Sequence, residues 1–156
     1  MPMTAYTPDH LDNKIIEELK GDARISNAEL ARRVGLSQSP CWNRVKNLEE
    51  KGVISGYRAV VNQKALGRGE LMMVQVSMDR HDDKSFATAE SVIRNLPEVL
   101  EAHLCAAEFD FLIKISVKDT REFERFLKQK IYKIPGIKNV RSILCIRDIL
   151  KEDPEN

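Results

Sequence analysis

Hydrogen-bonding and basic side chains are concentrated between residues 37 and 47, in the stretch SQSPCWNRVKN. At about 100° per residue, a helix here places Cys41, Val45 and Leu48 on one apolar stripe that must face a core. The side chains on the opposite face are Ser39, Asn43, Lys46 and Asn47. Hydroxyl and amide groups can read base edges, with Asn suited to adenine, while cations can hold phosphates or guanine. The spacing therefore predicts a helix whose polar face binds double-stranded DNA.

The candidate DNA contacts run from the start of this helix to its middle: Ser37, Gln38, Ser39, Asn43, Arg44, Lys46 and Asn47. Arg44 and Trp42 lie on the two flanks, and we expect Trp42 to pack against the first helix or the following strand. From residue 27 to 46 the chain has four basic residues against one acidic residue, a net charge of +3. This local charge favours DNA, although the cations of any three-helix bundle can serve solubility alone.

Signals upstream combine with this segment into a helix-turn-helix, whose second helix enters a DNA major groove. Asp9 can cap a first helix to about Lys20, with Leu11, Ile15, Ile16 and Leu19 as its apolar residues. Ser26 and Glu29 have capping-box spacing and begin a second helix, whose buried side is Ala28, Leu30, Ala31 and Val34. Gly35 supplies a turn with positive φ, Ser37 caps the third helix, and GVISGYRAVVN forms a short strand or wing.

After Gly69 the pattern changes to β-α-β-β-α-β. The predicted strands are LMMVQVSM, VLEAHLCAA, FDFLIKISV and IKNVRSILCIRDI. The segments Leu96–Val99 and Ile134–Ile137 repeat one another, each ending a helix and beginning a strand. The sequence therefore predicts an α+β chain with a winged helix-turn-helix domain and linker strand in 1–62 and a ferredoxin-like domain in 63–156.

Both helices of the second domain should cover the same face of its sheet. One row of the third strand is fully apolar, namely Phe109, Phe111, Ile113, Ile115 and Val117. The opposite row, like both rows of the last strand, mixes polar and apolar residues, so the other sheet face is a candidate surface for self-association. Two copies related by a two-fold axis would bury it and present two reading helices to a palindromic site, so we expect at least a homodimer.

Composition excludes several other classes. The net charge is +1 over 156 residues, so nothing global favours nucleic acid. The three cysteines are far apart and suggest no disulfide framework. No apolar run approaches the roughly 20 residues of a membrane span, and the first ten residues do not have the pattern of a secretory signal. We therefore expect a cytoplasmic protein without membrane contact. His103 and Cys105 could form a nucleophile pair or part of a zinc site, but no partners stand at suitable spacing. We expect no enzyme activity, no cofactor and no metal.

The order of parts resembles the leucine-responsive regulatory protein/AsnC (Lrp/AsnC) family of prokaryotic transcription regulators, from about Asp9 to Ile149. The most specific match is ISNAELARRVGLSQSPCWNRVKNLEEKGVISGY, and LCAAEFDFL resembles the family's turn between two strands. The resemblance implies that the second domain binds an effector, often an amino acid, and mediates oligomerisation into dimers that can assemble into octamers. It implies a sequence-specific regulator; the alternatives are an effector-independent regulator, an architectural DNA-binding protein, or a sensor that does not bind DNA.

The implied effector site comprises Ala107, Glu108, Asp110 and Ser142. The family usually has Gly where this chain has Ala107, in a Gly-x-x-Asp pattern. Ala narrows both the space and the allowed φ, so effector binding can be altered or lost. Asp110 either caps its turn or binds a ligand amine, and Ser142 either lines the same pocket or is a solvated strand hydroxyl.

Overall fold

The computed structural model describes residues 6–147 and residue 149. They form two compact units, the first ending at Val60 and the second beginning at Val61. The first unit contains α1 (His10–Gly21), α2 (Asn27–Val34) and α3 (Gln38–Glu50). The second contains β1 (Glu70–Met78), α4 (Asp83–Arg94), β2 (Val99–Leu104), β3 (Phe111–Val117), α5 (Thr120–Phe126) and β4 (Ile137–Cys145), with a π-helical turn, Leu127–Ile131, continuing α5.

Helix starts in the first unit follow the local signals. Asp9 caps α1 and forms a complete capping box with Asp12, because each side chain accepts the other residue's backbone N–H. Ser26 accepts from the Glu29 N–H at 3.2 Å, but the Glu29 carboxylate binds arginines instead, so only half of the predicted second box forms. The buried core consists of Ile15, Leu30, Ala31, Val34, Cys41 and Leu48. The prediction that Ala28 is buried is wrong, since it is exposed.

The segment 53–62 forms no strand among the described residues. The short strand predicted from GVISGYRAVVN is therefore not formed within the chain. A strand needs a hydrogen-bonding neighbour, and every strand pairing in the described part of the chain lies within the second unit. Val60 remains 84% exposed in this segment.

The second unit confirms the predicted β-α-β-β-α-β order. Its four strands are antiparallel and lie in the order β2-β3-β1-β4, which is the ferredoxin-like arrangement. The predicted repeat falls where expected, since β2 begins at Val99 and β4 at Ile137. The predicted last strand is shorter than expected and ends at Cys145; its Asp148 lies outside the described residues.

One face of the sheet carries the core. Its centre is Met72, Val74, Val76 and Met78 of β1 with Phe111, Ile113, Ile115 and Val117 of β3, and α4, α5 and the π-helical turn pack on it. The other face carries Leu71, Met73, Gln75, Leu112, Lys114, Arg141 and Ile143 by strand alternation. We call this second face the open sheet face; Ile143 on it is 49% exposed.

Candidate nucleic-acid interface

Gly35 sets the angle between α2 and α3. Its φ is +77°, in the left-handed region, and its N–H donates to the Ala31 carbonyl. The Leu36 N–H donates to the same carbonyl at 2.9 Å. Glycine adopts this conformation at little steric cost, so the predicted turn is confirmed.

A hydrogen bond also joins the N-terminal ends of α2 and α3. The Asn27 side-chain amide donates to the Gln38 carbonyl at 2.9 Å. Ser37 occupies the N-cap position of α3 with an extended backbone, but its side chain accepts no capping hydrogen bond. The exposed Ser37 hydroxyl is therefore not used to cap the helix.

Polar side chains and one large aromatic ring cover the solvent side of α3. We define the α3 outer surface as Gln38, Ser39, Trp42, Asn43 and Lys46, all of which are exposed. The first four line a shallow groove together with Asn27. The Lys46 ammonium lies 5.2 Å from the centre of the Trp42 ring and 3.6 Å from Glu50 Oε1. Neither interaction buries this cation, so it stays accessible to an anion.

Trp42 does not pack as the sequence predicted. Its side chain is 53% exposed. The helical wheel contains the signal that was missed, because Trp42 lies only about 40° from Lys46 and about 60° from Ser39 at 100° per residue. Trp42 thus belongs to the same face as the predicted polar contacts.

Arg44 and Asn47 point toward α1. Arg44 Nη1 lies 2.7 Å from Asp9 Oδ2 and 2.8 Å from Asp12 Oδ1. The Tyr6 hydroxyl donates to the other Asp12 oxygen at 2.7 Å and accepts from the Asn47 amide at 3.1 Å. We call these five residues the α1–α3 network. Arg44 lies only about 40° from the buried Leu48 on the wheel, which is the signal that would have placed it here.

The network shifts the pKa values of its carboxyl groups. Asp12 is 1% exposed, and this burial raises its pKa, but hydrogen bonds from Tyr6 and Arg44 outweigh it and the pKa lies below its usual value. The Asp12 N–H, followed by Arg44, lowers the pKa of Asp9. Both carboxylates are therefore charged partners for Arg44 at neutral pH.

Acidic residues neutralise much of the local charge that the sequence indicated. Glu29 lies 2.7 Å from Arg32 Nη2 and 2.9 Å from Arg33 Nε, and Glu18 of α1 lies 2.9 Å from Arg33 Nη1. Arg32, followed by Arg33, lowers the pKa of Glu29 to about 2. The net charge of +3 over 27–46 therefore overstates the free positive charge, because α1 supplies acids from outside that window.

The predicted effector turn lies between β2 and β3. The Asp110 carboxylate accepts from the Met78 N–H at 2.7 Å and lies 3.1 Å from His81 Nε2. Its own N–H donates to the Val76 carbonyl at 2.9 Å. The Asp110 side chain therefore joins this turn to the end of β1, while the Asp110 carbonyl accepts from the Cys105 N–H at 2.8 Å and closes the turn. Ala107 is exposed and does not have a positive φ.

The four predicted effector residues do not form one cluster within the chain. Glu108 contributes to a small depression of about 80 Å³ on the open sheet face, with Gln75, Ser77, Phe109, Asn139 and Arg141. Ser142 is paired with the buried Val74, so it lies on the opposite, helix-bearing face. It is exposed there, at the edge strand β4.

The chain matches two protein-family models. Residues 8–55 match a winged helix-turn-helix DNA-binding domain, and residues 71–155 match the Lrp/AsnC ligand binding domain. The leucine-responsive regulatory protein of Klebsiella pneumoniae is 36% identical over 90% of this chain and 86% of its own length. That of Escherichia coli K12 is 35% identical over the same shares.

The chain belongs to the Lrp/AsnC family of DNA-binding transcriptional regulators.

Solved structures of Lrp/AsnC regulators have the same fold. A Neisseria meningitidis transcriptional regulator, solved as an L-Met complex, is 29% identical with a TM-score of 0.87 over 95% of both chains. Escherichia coli AsnC is 26% identical with a TM-score of 0.82 over 97% of this chain and 100% of its own. The resemblance and fold class inferred from the sequence are confirmed.

Two features of the described residues bear on other functions. No helix in that part of the chain is long and apolar enough to cross a membrane. The same residues contain no group of three or more His, Cys, Asp and Glu side chains arranged to hold a metal ion. Cys105 follows the end of β2, and its Sγ lies 3.8 Å from the His103 carbonyl oxygen, whereas His103 Nε2 lies 4.0 Å from Glu101 Oε2.

Proposed function

We propose that this Lrp/AsnC regulator reads its operator with the α3 outer surface. Gln38, Ser39 and Asn43 would contact base edges, and Lys46 and the Ser37 hydroxyl would contact phosphates. The observation that carries the proposal is that these groups are exposed together on the second helix of a helix-turn-helix whose Gly35 turn is in place. Arg44 and Asn47 would support binding indirectly, by holding α3 against α1.

Mobility-shift assays at two salt concentrations test this proposal. The duplex is selected by the protein from a random pool and compared with the promoters of its own and neighbouring genes. Because phosphate contacts release counterions, we expect specific binding that weakens steeply with salt. Equal affinity for the selected and a shuffled duplex would contradict sequence-specific recognition and favour an architectural protein.

We further propose a homodimer that can assemble into an octamer. The open sheet face supports it, since Leu71, Met73 and Leu112 are only half-buried there and Ile143 is largely exposed. A second copy of the chain would cover these residues. Light scattering coupled to gel filtration measures the mass directly, and a monomer at micromolar concentration would refute the proposal.

An amino acid is the proposed effector class. The second unit matches a ligand-binding domain, and the Neisseria relative was solved as an L-Met complex. A thermal-shift screen of L-amino acids, with the D-enantiomers as matched controls, measures binding. A ligand at about a hundred times its Kd would add about 2.7 kcal/mol to the free energy of unfolding.

An effector-independent regulator is the second candidate. The observation that favours it is the internal use of Asp110, whose two carboxylate oxygens contact Met78 and His81. An incoming ligand amine would have to compete with the Met78 N–H and His81 for these oxygens. No shift across the L-amino acids, combined with normal operator binding, would favour this candidate.

We propose that the protein acts by binding, without a catalytic step, as regulators of this family do. Regulation of transcription requires access to the chromosome, so we place its action in the cytoplasm. To test for a catalytic step, the protein is incubated for a long time with the duplex and an amino acid, which are then analysed by mass spectrometry. We expect both to be unchanged. A new product that depends on the protein would refute it.

A further inference from the structure

Trp42 is the one tryptophan in the sequence, and it lies on the surface that we propose for DNA recognition. Its neighbour Cys41 is fully buried, whereas Trp42 is 53% exposed. Leaving a large aromatic ring in water forgoes the free energy of burying it. Exposed aromatic side chains of this size are typical of surfaces that become covered by a partner.

The surroundings of the ring indicate which partner covers it. The groove beside it is lined by Asn27, Gln38, Ser39 and Asn43, whose side chains donate and accept hydrogen bonds. Lys46 places a cation 5.2 Å from the ring centre, where a cation–π interaction can hold the ring. An apolar protein partner would leave these polar groups unpaired, whereas a nucleic-acid groove satisfies both the polar groups and the cation.

Among the major-groove base edges, only thymine presents an apolar group, its 5-methyl. In the same groove, the adenine of a neighbouring base pair presents the N6 and N7 atoms that an Asn side chain can contact together. Trp42 and Asn43 are adjacent on α3, so one can contact a methyl group while the other contacts an adenine nearby.

We infer that Trp42 is a specificity-determining residue that contacts the 5-methyl group of a thymine in the operator. This inference rests on the proposed entry of α3 into the major groove. It adds a base preference, for a T·A pair beside the adenine read by Asn43, that the polar residues alone do not supply.

Replacing each thymine of the selected duplex by deoxyuridine removes one methyl group and leaves the hydrogen-bonding pattern intact. For the full-length wild type we expect about a fourfold loss of affinity at one thymine of each half-site, from the burial of one methyl. Trp42→Ala should bind the unmodified duplex more weakly and lose nothing further with deoxyuridine at that position. Tyr132→Ala, which truncates an equally exposed aromatic residue of the second unit, should retain the full deoxyuridine effect.

The outcomes separate the inference from the proposed function. The inference would be overturned, and the proposed function left intact, by either of two results. In the first, the wild type binds specifically but its affinity falls at no thymine that is replaced by deoxyuridine. In the second, Trp42→Ala loses as much affinity at the same thymine as the wild type does. Absence of specific binding by the wild type would overturn both. Because Trp42 is the one tryptophan, a second measurement is available: acrylamide should quench its fluorescence less in the complex, and unchanged quenching would also overturn the inference.

Discussion

Replacing Arg44 with alanine should destabilise the first unit by about 3 kcal/mol. Arg44 contacts Asp9 and the 1%-exposed Asp12, and its removal leaves the Asp12 carboxylate buried without a countercharge. Breaking a buried ion pair in this way costs about 3–5 kcal/mol. The lower end applies because the Arg44 side chain is 31% exposed, and because Asp12 keeps hydrogen bonds from the Tyr6 hydroxyl and the Asp9 N–H. The pair with the exposed Asp9 adds little, because water screens it.

Arg33→Ala is the matched control. Arg33 also contacts two carboxylates, but its partners Glu18 and Glu29 have side chains that are 34% and 35% exposed. Its loss should destabilise the first unit far less, because water screens exposed ion pairs. Urea denaturation followed by Trp42 fluorescence reports on the first unit, because the sequence has no other tryptophan. Equal midpoints for Arg44→Ala and Arg33→Ala would refute the argument from burial.

Acid titration supplies a second readout for the same variant. The pKa values of Asp9 and Asp12 are lowered in the folded state, so both groups bind fewer protons there than in the unfolded chain. Their contribution to stability is therefore fully present above the unfolded pKa of about 3.9 and is lost as the pH falls through the lower, folded values. Arg44→Ala removes one cause of both shifts, so its loss of stability below about pH 4 should be shallower than in the wild type.

DNA binding distinguishes a structural Arg44 from one that contacts phosphate. If Arg44 only holds α3 in place, the slope of log K against log salt should be the same in Arg44→Ala and the wild type under conditions where both are folded. A phosphate contact would reduce that slope by about 0.9 for each one lost. Such a reduction, with stability unchanged, would show that Arg44 leaves the network to bind DNA.

Three further predictions concern single residues. Asn43→Ala should relax the preference for adenine at one position of each half-site by about 1–3 kcal/mol, as measured by competition with variant duplexes. An unchanged preference would mean that another face of α3 contacts the bases. Gly35→Ala should destabilise the first unit by about 1–2 kcal/mol through its φ of +77° alone, since nothing lies within 4 Å of the added Cβ. Urea denaturation followed by Trp42 fluorescence measures this, and no change would refute it. Asp110→Ala should lower the free energy of unfolding of the second unit by about 1–3 kcal/mol, because it leaves the Met78 N–H unpaired. Thermal denaturation followed by circular dichroism measures this, and an unshifted transition would count against this role of Asp110.

Features set by neighbouring residues were predictable from the sequence. The cap at Asp9, the positive φ of Gly35 and the apolar stripe of α3 depend on residues within a turn or two. The order of the second unit followed from apolar periodicity in the same way. Its repeat at Val99 and Ile137 was found because each copy joins a helix end to a strand start.

Features set by distant residues were not predictable. Arg44 meets Asp9 and Asp12 across more than 30 residues of chain, so the helical wheel could place it beside the core but could not identify these partners. The strand expected in 53–62 does not form because a strand depends on a partner that the described residues do not supply there. Ser142 was grouped with Glu108 by resemblance, whereas strand alternation places Ser142 on the face opposite the depression that Glu108 lines.

Replacement of major-groove acceptors tests most directly whether α3 reads DNA from that groove. In the selected duplex, 7-deazaadenine or 7-deazaguanine removes the N7 acceptor of one purine at a time and leaves the minor groove unchanged. We expect a loss of affinity of about five- to a hundredfold at one or more purines of each half-site, and Asn43→Ala should abolish the loss at one adenine. If no N7 replacement changes the affinity of the wild type, while altered minor-groove groups do lower it, then α3 does not read DNA from the major groove.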